Sequence, residues 1–440
     1  MYYYFTDTDF CISGSILTLI DQGAPLDLDF CALGVFLRLR YYLGDDTPFA
    51  SIKLIPPAVN FLFEDGRLSV SGGVSIPKPL HMTRSDAIDA FIYTFRNAVR
   101  RTRPENEQFV VPLSGGRDSR HIFLELLSSG YRPKCCVSAR NFAPWSSEDV
   151  EVAAELCDST GVPLDVLDQP TSILAAEVQK NIDTSLTTID HAWIVALVDY
   201  LKQRHRTVIY EGIAGDIYTG AAASNAERLA DWRAGRLHKL ADGWLDSKEK
   251  LWRKILGKQN YRYATRDIAI TRMVTELAKF SQAPNPFASF FFYNRTRRVA
   301  ALSPFIMLSD TAAVLTPFLD HRVHDLMSAL DGEMFLDKKF HTEAIQRAFP
   351  KFAKVRYAPN RRSPANNYRF FARAAYDVGK LSLMCTRSGR VLQQSFLWSR
   401  LLRSFADRSY SPAMGWLEDL AIYLIQLECA MDRRALNPNA

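Results

Sequence analysis

The spacing of apolar residues along the chain changes near residue 83. Before that point the apolar stretches are short, and Glu64-Asp65-Gly66 separates the run at residues 58–63 from a second run that follows Arg67. An Asp-Gly pair between two apolar runs is typical of a β-hairpin. We therefore predict a small antiparallel β unit with one or two helices over residues 1–82, closed by a linker that starts at residues 71–73.

From residue 83 onward the pattern first becomes helical and then alternates. Thr83 to Asp86 resembles a capping box, and apolar residues follow at helical spacing as far as Val99. Apolar runs predict strands at about residues 108–113, 134–138 and 163–167, with helices at about 122–130 and 147–159 between them. This alternation is typical of a parallel sheet with crossover helices, so the predicted fold class is α/β. Beyond about residue 220 the pattern predicts mainly helices.

The composition is that of an ordinary globular protein. Hydrophobic residues make up 48% and charged residues 23%, which excludes a disordered or fibrous chain. No apolar run is long enough to span a membrane and the start of the chain lacks the pattern of a signal peptide, so we expect a cytoplasmic protein with no membrane partner. The seven cysteines fit neither a disulfide framework nor a CxxC zinc site, and we expect buried thiols.

The formal net charge of +6 is unevenly distributed. Residues 1–85 carry nine acidic and six basic side chains, which leaves +9 for the rest of the chain. This excess is too small to indicate a nucleic-acid partner by itself. Residues 285–298 interleave aromatic side chains with arginines, a pattern found in single-strand binding, but we favour a buried helix that ends in a basic turn.

A glycine-rich loop lies between the first predicted strand of the α/β region and the helix after it. Residues 114–119 read Ser-Gly-Gly-Arg-Asp-Ser. The glycines let the backbone approach a ligand closely, and the helix N-terminus presents unpaired N–H groups that suit a phosphate. A carboxylate beside phosphate is repulsive without a cation, so Asp118 is predicted to be a magnesium ligand, with a helix N-cap as the alternative role.

Two further segments accompany this loop. A predicted strand at residues 208–210 precedes the sequence Glu-Gly-Ile-Ala-Gly-Asp at 211–216, and residues 317–322 read Pro-Phe-Leu-Asp-His-Arg. Glycines and an acid again follow a strand, as they do at residues 114–119. Loops at the carboxyl ends of neighbouring parallel strands face one crevice, so we expect the two glycine-rich loops to meet.

The Ser-Gly-Gly-x-Asp-Ser string is the pyrophosphate-loop signature of N-type ATP pyrophosphatases. Together and in this order, the three segments resemble the synthetase domain of the asparagine synthetase family, which includes β-lactam synthetases and lasso-peptide cyclases. The resemblance covers about residues 85–365. It implies a Rossmann-like (HUP) pyrophosphate-loop domain at 83–440 with a largely helical C-terminal part. It also implies that residues 1–82 are a degenerate glutaminase-like remnant of an Ntn-hydrolase.

The resemblance also implies an activity, with ATP and Mg²⁺ as cofactors. A carboxylate of a small molecule or peptide attacks the α-phosphate of ATP, pyrophosphate leaves, and ammonia or an amine then displaces AMP to form an amide. By position, Asp118 and Asp216 share the magnesium ion. Asp118 also belongs to the implied nucleotide-binding set, whose other members are Leu113, Ser114, Gly115, Gly116, Ser119, Val137 and Gly212.

The chain departs from the family in its nitrogen chemistry. Position 2 is Tyr2 rather than the glutaminase cysteine, and the first unit is short, so we expect no glutamine hydrolysis. Ile213 stands where relatives have a glutamate or a tyrosine, and it cannot accept a proton. Glu211 and Tyr210 are the candidate substitutes.

The late lysine of the family falls near Arg361 and Arg362. We assign this pair to the predicted catalytic set, because arginine can stabilise an anion although it is not an acid of tuned pKa. A solvated basic turn is the alternative, and Lys338 and Lys339 are further candidates for the lysine role.

Two other functions stay open beside the amide synthetase. The first is a pyrophosphate-loop enzyme that adenylates a base in tRNA, which predicts salt-sensitive RNA binding. The second is a non-catalytic, ATP-binding descendant of this family. The missing glutaminase cysteine and Ile213 are the observations that favour it. Nucleic acid is not the expected partner, and the oligomeric state is open, with a homodimer as one possibility.

Overall fold

The structure is a computed structural model of a mixed α/β protein. It describes residues 1–6, 9–104, 108–142, 145–170, 172–205, 207–220, 224–300, 302–358, 368–384, 389–407, 409–410 and 417–436. A small antiparallel sheet at the N-terminus, a five-stranded parallel sheet and many helices make up these residues, which confirms the predicted fold class. In the same residues, no helix combines the length and the apolar character that crossing a bilayer requires.

The described strands form three sheets. Their bounds are β1 Tyr2–Phe5, β2 Phe10–Ser13, β3 Ile52–Leu54, β4 Val59–Glu64, β5 Arg67–Gly72, β6 Phe109–Pro112, β7 Cys135–Ala139, β8 Leu164–Leu167, β9 Val208–Tyr210 and β10 Ala313–Leu315. The N-terminal sheet has the order β2-β1-β3, β4 and β5 form a hairpin, and the parallel sheet has the order β10-β9-β6-β7-β8.

Helices account for most of the remaining residues. Their bounds are α1 Ile16–Asp21, α2 Phe30–Leu39, α3 Arg84–Arg101, α4 Asp118–Ser128, α5 Glu148–Thr160, α6 Leu174–Asp183, α7 Ile194–Arg204, α8 Gly215–Gly220, α9 Ala226–Arg233, α10 Leu237–Trp244, α11 Glu249–Tyr261, α12 Arg266–Ala278, α13 Pro286–Phe291, α14 Leu302–Leu308, α15 His321–Ala329, α16 Phe340–Ala348, α17 Tyr368–Met384, α18 Gln394–Ala406 and α19 Ile422–Leu436. Short 3₁₀ turns lie at Pro317–Leu319, Gly332–Phe335 and Pro350–Phe352, and π-helical segments lie at Phe292–Ala300 and Leu417–Ala421.

Local sequence signals account for several of these boundaries. The β4–β5 hairpin turns at Asp65 and Gly66, whose φ angles are 48° and 71°, as a two-residue turn with two left-handed positions requires. Thr83 caps α3 by accepting a hydrogen bond from the Asp86 N–H at 3.2 Å. The predicted hairpin, the capped helix and the alternation of β6, α4, β7, α5 and β8 are confirmed.

Strand β10 was not predicted. Its three residues pair in parallel with β9, Val314 opposite Ile209, at the edge of the five-stranded sheet. A strand this short has no measurable periodicity, so only its partner identifies it. It positions the Pro-Phe-Leu-Asp segment directly after a strand of the same sheet.

Two of the hydrophobic cores frame the molecule. One lies between the parallel sheet, α3, α4, α15 and α16. The other joins the N-terminal sheet to the C-terminal helices; in it the Tyr42 and Tyr423 hydroxyls are 2.8 Å apart. The division into units at residues 82 and 83 stays a prediction.

Residues 285–298 form a buried helix, as expected, and Arg297 and Arg298 lie in the last turn of its continuation. The helix α13 continues as the π-helical segment Phe292–Ala300. Arg298 is 1% exposed and donates hydrogen bonds to the backbone carbonyls of Gly44, at 2.6 Å, and Asp46. Arg298 therefore links the loop that contains Gly44 and Asp46 to the helical segment Phe292–Ala300.

Candidate functional site

The glycine-rich loop connects β6 to α4, as the sequence predicted. The backbone N–H of Ser114 donates to the Ser119 hydroxyl at 3.1 Å, and the Gly116 N–H donates to the Ser114 hydroxyl at 3.2 Å. The two hydroxyls are themselves 3.1 Å apart. The serines thus hold the loop in a closed turn at the N-terminus of α4, where a helix attracts anions.

An acidic side chain from a neighbouring helix contacts this loop. The Gly115 N–H donates to Oδ1 of Asp149, in the first turn of α5, at 3.0 Å. Sequence analysis did not single out Asp149, since nothing in its local pattern distinguishes it from other first-turn acids. The Gly115 amide is therefore paired with a carboxylate of the chain itself.

The loop after β9 brings a second carboxylate to the first. The backbone N–H of Asp216 donates to Oδ2 of Asp118 at 3.1 Å. Although Asp216 is an exposed residue, the loss of solvation that the surrounding protein causes, and next the negative charge of Asp118, raise its pKa to about 6. A cation between two carboxylates that repel in this way would relieve the repulsion.

Glycines make this approach of the two loops possible. A Cβ atom on Gly215 would lie 2.5 Å from Cγ and Oδ1 of Asp118, and one on Gly212 would lie 2.8 Å from the Cβ of Asp118. Neither glycine has a left-handed φ angle. The requirement for glycine here is therefore space beside Asp118 rather than backbone conformation.

A cleft of about 370 Å³ opens at the carboxyl ends of β6, β7 and β9. It is lined by most of the predicted site residues, namely Leu113, Ser114, Asp118, Ser119, Val137, Gly212 and Asp216. The predicted residues Gly115 and Gly116 lie in the loop itself. Arg361 and Arg362 lie outside the described residues; Ala358, which precedes that gap, donates its N–H to the Gly115 carbonyl at 3.0 Å.

The structure separates the two candidate substitutes for the family residue at Ile213. The Tyr210 hydroxyl donates to the backbone carbonyl of Thr102, and its ring packs against Phe109 in the core. Glu211 lines the cleft instead, and its Oε1 is shielded from solvent with no hydrogen-bond partner among the described residues. Burial raises the pKa of Glu211 to about 7.

Sequence analysis also did not assign Arg295 and His191 to the cleft. Arg295 lines the cleft, lies 3.6 Å from Oδ2 of Asp190, and lowers the pKa of Asp216 through its positive charge. His191 lines it as well, with a left-handed φ of 78° and an Nδ1 that lacks a hydrogen-bond partner among the described residues. Burial lowers the pKa of His191 to about 4, so its imidazole is neutral at pH 7.

The Pro-Phe-Leu-Asp segment packs in the core beside the site and does not line the cleft. Phe318 is buried and stacks on Phe95 at a centroid distance of 4.3 Å. Asp320 caps α15 through the Arg322 N–H at 3.0 Å and pairs with Arg101 at 2.7 Å. None of these residues lines the cleft.

Comparisons with known proteins identify no family for this chain. No family model matches it, and no curated protein matches it. Matches among solved structures include an NMN synthetase from Francisella tularensis, which is 13% identical, with a TM-score of 0.19 over 64% of this chain and 100% of that one. So remote a likeness supports no statement about the function of this chain.

Proposed function

We propose that the chain is an ATP-dependent amide synthetase that adenylates a substrate carboxylate and then joins it to ammonia or an amine. The observation that carries this proposal is the meeting of the glycine-rich loop with two carboxylates, where the Asp216 N–H donates to Asp118 Oδ2. A strand, a glycine turn and a helix N-terminus bind phosphate. Paired carboxylates beside that turn suit a divalent cation.

The donor set fits magnesium. Mg²⁺ binds through one or two carboxylates, with phosphate oxygens and waters as its other ligands. Asp118 and Asp216 supply two carboxylates, and the described residues contain no cluster of three or more acidic, histidine or cysteine side chains that could hold a metal alone. When bound, the ion neutralises charge on the departing pyrophosphate.

In the adenylation step the chain binds and orients its substrates. In this proposal Leu113, Val137 and Gly212, which line the cleft at the ends of their strands, hold the nucleoside, and the N-terminus of α4 faces the phosphates. An oxygen of the substrate carboxylate attacks the α-phosphorus, and the bond from that phosphorus to the bridging oxygen breaks. Pyrophosphate leaves with the bonding electrons, which gives the acyl adenylate. Enforced proximity in the cleft replaces a bimolecular encounter.

In the amide-forming step Glu211 accepts a proton. The nitrogen of ammonia or an amine attacks the acyl carbon, AMP leaves, and the proton lost by the nitrogen goes to the carboxylate of Glu211. The position of Glu211 in the cleft lining and its pKa of about 7 support this role, because a general base works best when its pKa is near the operating pH.

The test is an exchange assay with labelled pyrophosphate and ATP over a panel of carboxylates. We expect exchange only with the correct carboxylate, and AMP and an amide once an amine is added. Exchange that requires RNA rather than a carboxylate would support tRNA adenylation. ATP binding without exchange across the panel would support a non-catalytic protein, and either result contradicts the proposal.

Gly215→Ala is expected to lower the exchange rate about 10- to 100-fold. The added Cβ would lie 2.5 Å from the carboxyl group of Asp118 and displace it, and a shift of about 1 Å in a reacting site costs up to about 100-fold. Gly243→Ala in α10 is the matched control, since its Cβ meets no atom within 4 Å. It should leave exchange unchanged and raise the free energy of unfolding by up to about 1 kcal/mol in urea denaturation. A folded Gly215→Ala protein with the wild-type rate would contradict the role of Asp118.

A further inference from the structure

A buried pair of histidines lies directly behind Asp118. His121 on α4 and His341 on α16 are 0% and 1% exposed. Nδ1 of His121 is 3.1 Å from Nε2 of His341, and Nδ1 of His341 is 3.3 Å from Oδ1 of Asp118. The two rings therefore form a continuous polar contact from inside the core to the candidate metal-binding carboxylate.

The geometry assigns the direction of the contact with Asp118. A ring nitrogen beside a carboxylate oxygen is attractive only if that nitrogen carries a proton, because two lone pairs repel. His341 therefore carries a proton on Nδ1, and this nitrogen is in close polar contact with Asp118 Oδ1. The hydroxyl of Thr219, which donates to the Gly215 carbonyl at 2.7 Å, lies 3.3 Å from the same Nδ1. His341 thus contacts Asp118, in the first glycine-rich loop, and Thr219, in the helix α8 that follows the second.

The second ring holds the first in place. Burial lowers the pKa of His121 well below its ordinary value, so the ring is neutral and shares one hydrogen with Nε2 of His341. Nε2 of His121 lies 4.0 Å from Oε1 of the buried Glu125, which pairs with Arg96 through two contacts at 3.0 and 3.1 Å. Aromatic rings, including Phe95 at a centroid distance of 4.3 Å, pack around the pair.

We propose that His341, supported by His121, is a positioning residue that fixes the Asp118 carboxylate for the magnesium–nucleotide complex. This inference rests on the proposed function. Oδ1 of Asp118 lies 3.3 Å from Nδ1 of His341 and Oδ2 accepts from the Asp216 N–H, so each oxygen is contacted on one side, and the carboxylate lines the cleft. Hydrogen bonds that orient a metal ligand in this way are worth about 10- to 100-fold in metal affinity or activity.

A packing role alone does not explain a polar pair at this depth. Buried polar groups bring a desolvation cost that an apolar pair of similar shape avoids. Among the described residues, the imidazole of His341 recovers that cost through Asp118, Thr219 and His121. Asp118 and Thr219 belong to α4 and α8, the helices that the two glycine-rich loops begin. The contacts of His341 therefore stabilise the candidate site.

Three substitutions of His341 separate positioning from packing. His341→Asn retains an N–H near the position of Nδ1 and loses the contact with His121, His341→Gln retains a donor near Nε2 and loses the contact with Asp118, and His341→Leu loses both. The full-length proteins are titrated with Mn²⁺ and a non-hydrolysable ATP analogue, and bound Mn²⁺ is measured by EPR. We expect His341→Asn to bind close to wild type, and the Gln and Leu variants to bind Mn²⁺ about 10- to 100-fold more weakly.

His324→Asn is the matched control. His324 is also a helical histidine, with Nδ1 2.9 Å from the Tyr218 hydroxyl, but it does not line the cleft. It should bind Mn²⁺ as wild type does. Equal Mn²⁺ affinity in all His341 variants would overturn the inference. Losses of Mn²⁺ affinity that follow the melting temperatures of the variants, and not the position of the donor, would overturn it as well. A wild-type protein that binds no Mn²⁺ with the nucleotide would instead refute the proposed function on which it rests.

Discussion

Asp118→Asn is expected to abolish ATP–pyrophosphate exchange, with a loss of at least about 1000-fold. The amide keeps the size of the side chain and one acceptor oxygen, but it removes the charge that a cation needs. Asp216→Asn should act in the same direction, because the backbone N–H of Asp216 donates to Asp118 Oδ2 at 3.1 Å and so holds the two residues side by side. Exchange of label between pyrophosphate and ATP with the accepted carboxylate is the measurement.

The fold of the Asp118 variant is expected to be intact. Asp118 and Asp216 repel, and this repulsion contributes to the raised pKa of Asp216, so removing one charge should hold or raise the melting temperature. Asp158→Asn, on the exposed side of α5, is the control and should keep the wild-type exchange rate. A folded Asp118→Asn protein with unimpaired exchange would refute the cation site.

Glu211→Gln is expected to separate the two half-reactions. Exchange should stay near the wild-type rate, whereas amide formation should fall about 100- to 1000-fold, because a positioned general base contributes on the order of 10²- to 10⁴-fold. The wild-type rate of amide formation should rise with pH through about 7, where Glu211 ionises, and the variant should lack this rise. The measurements are exchange and product formation across pH 5 to 9, in parallel.

Tyr210→Phe is the control for this variant, because the Tyr210 hydroxyl faces the Thr102 carbonyl instead of the cleft. It should form amide at the wild-type rate. Loss of exchange together with amide formation in Glu211→Gln would contradict a role confined to the second step. Loss of amide formation in Tyr210→Phe alone would transfer the proton-acceptor role to the tyrosine.

The same group predicts a pH-dependent change in stability. The folded-state pKa of Glu211, about 7, lies above its ordinary value of 4.5, so the folded protein binds more protons between these values. The contribution of Glu211 to the free energy of unfolding is therefore fully present below pH 4.5 and is lost as the pH rises to 7. Glu211→Gln should accordingly melt at a higher temperature than wild type at pH 8 and not at pH 4.

The sequence was most informative where a few adjacent residues decide the structure. The Asp65-Gly66 turn, the Thr83 cap and the strand–loop–helix at residues 109–128 all depend on contacts within about four residues, and all were predicted. The same locality explains why the glycine-rich loop could be predicted to be a phosphate-binding turn. We also expected the loops after β6 and β9 to meet if their strands were neighbours, and in the structure they are.

Sequence patterns did not predict the long-range contacts. Strand β10 exists because β9 pairs with it, and Arg298 is buried because carbonyls of Gly44 and Asp46 accept from it. Neither segment differs locally from a loop or a basic turn. The partners of these segments are distant in sequence. Neither the spacing of apolar residues nor the presence of turn-forming residues therefore indicates these contacts.

What the sequence by itself determined about this protein is the α/β order of its elements and the two acidic, glycine-rich loops at strand ends. Only the tertiary structure decided that Glu211 faces the cleft while Tyr210 faces the core, and that His341 contacts Asp118. The physical reason is the range of the interactions. Propensity, capping and turn geometry act between neighbours in sequence, whereas the direction of a side chain and its distant partners follow from how the finished elements pack.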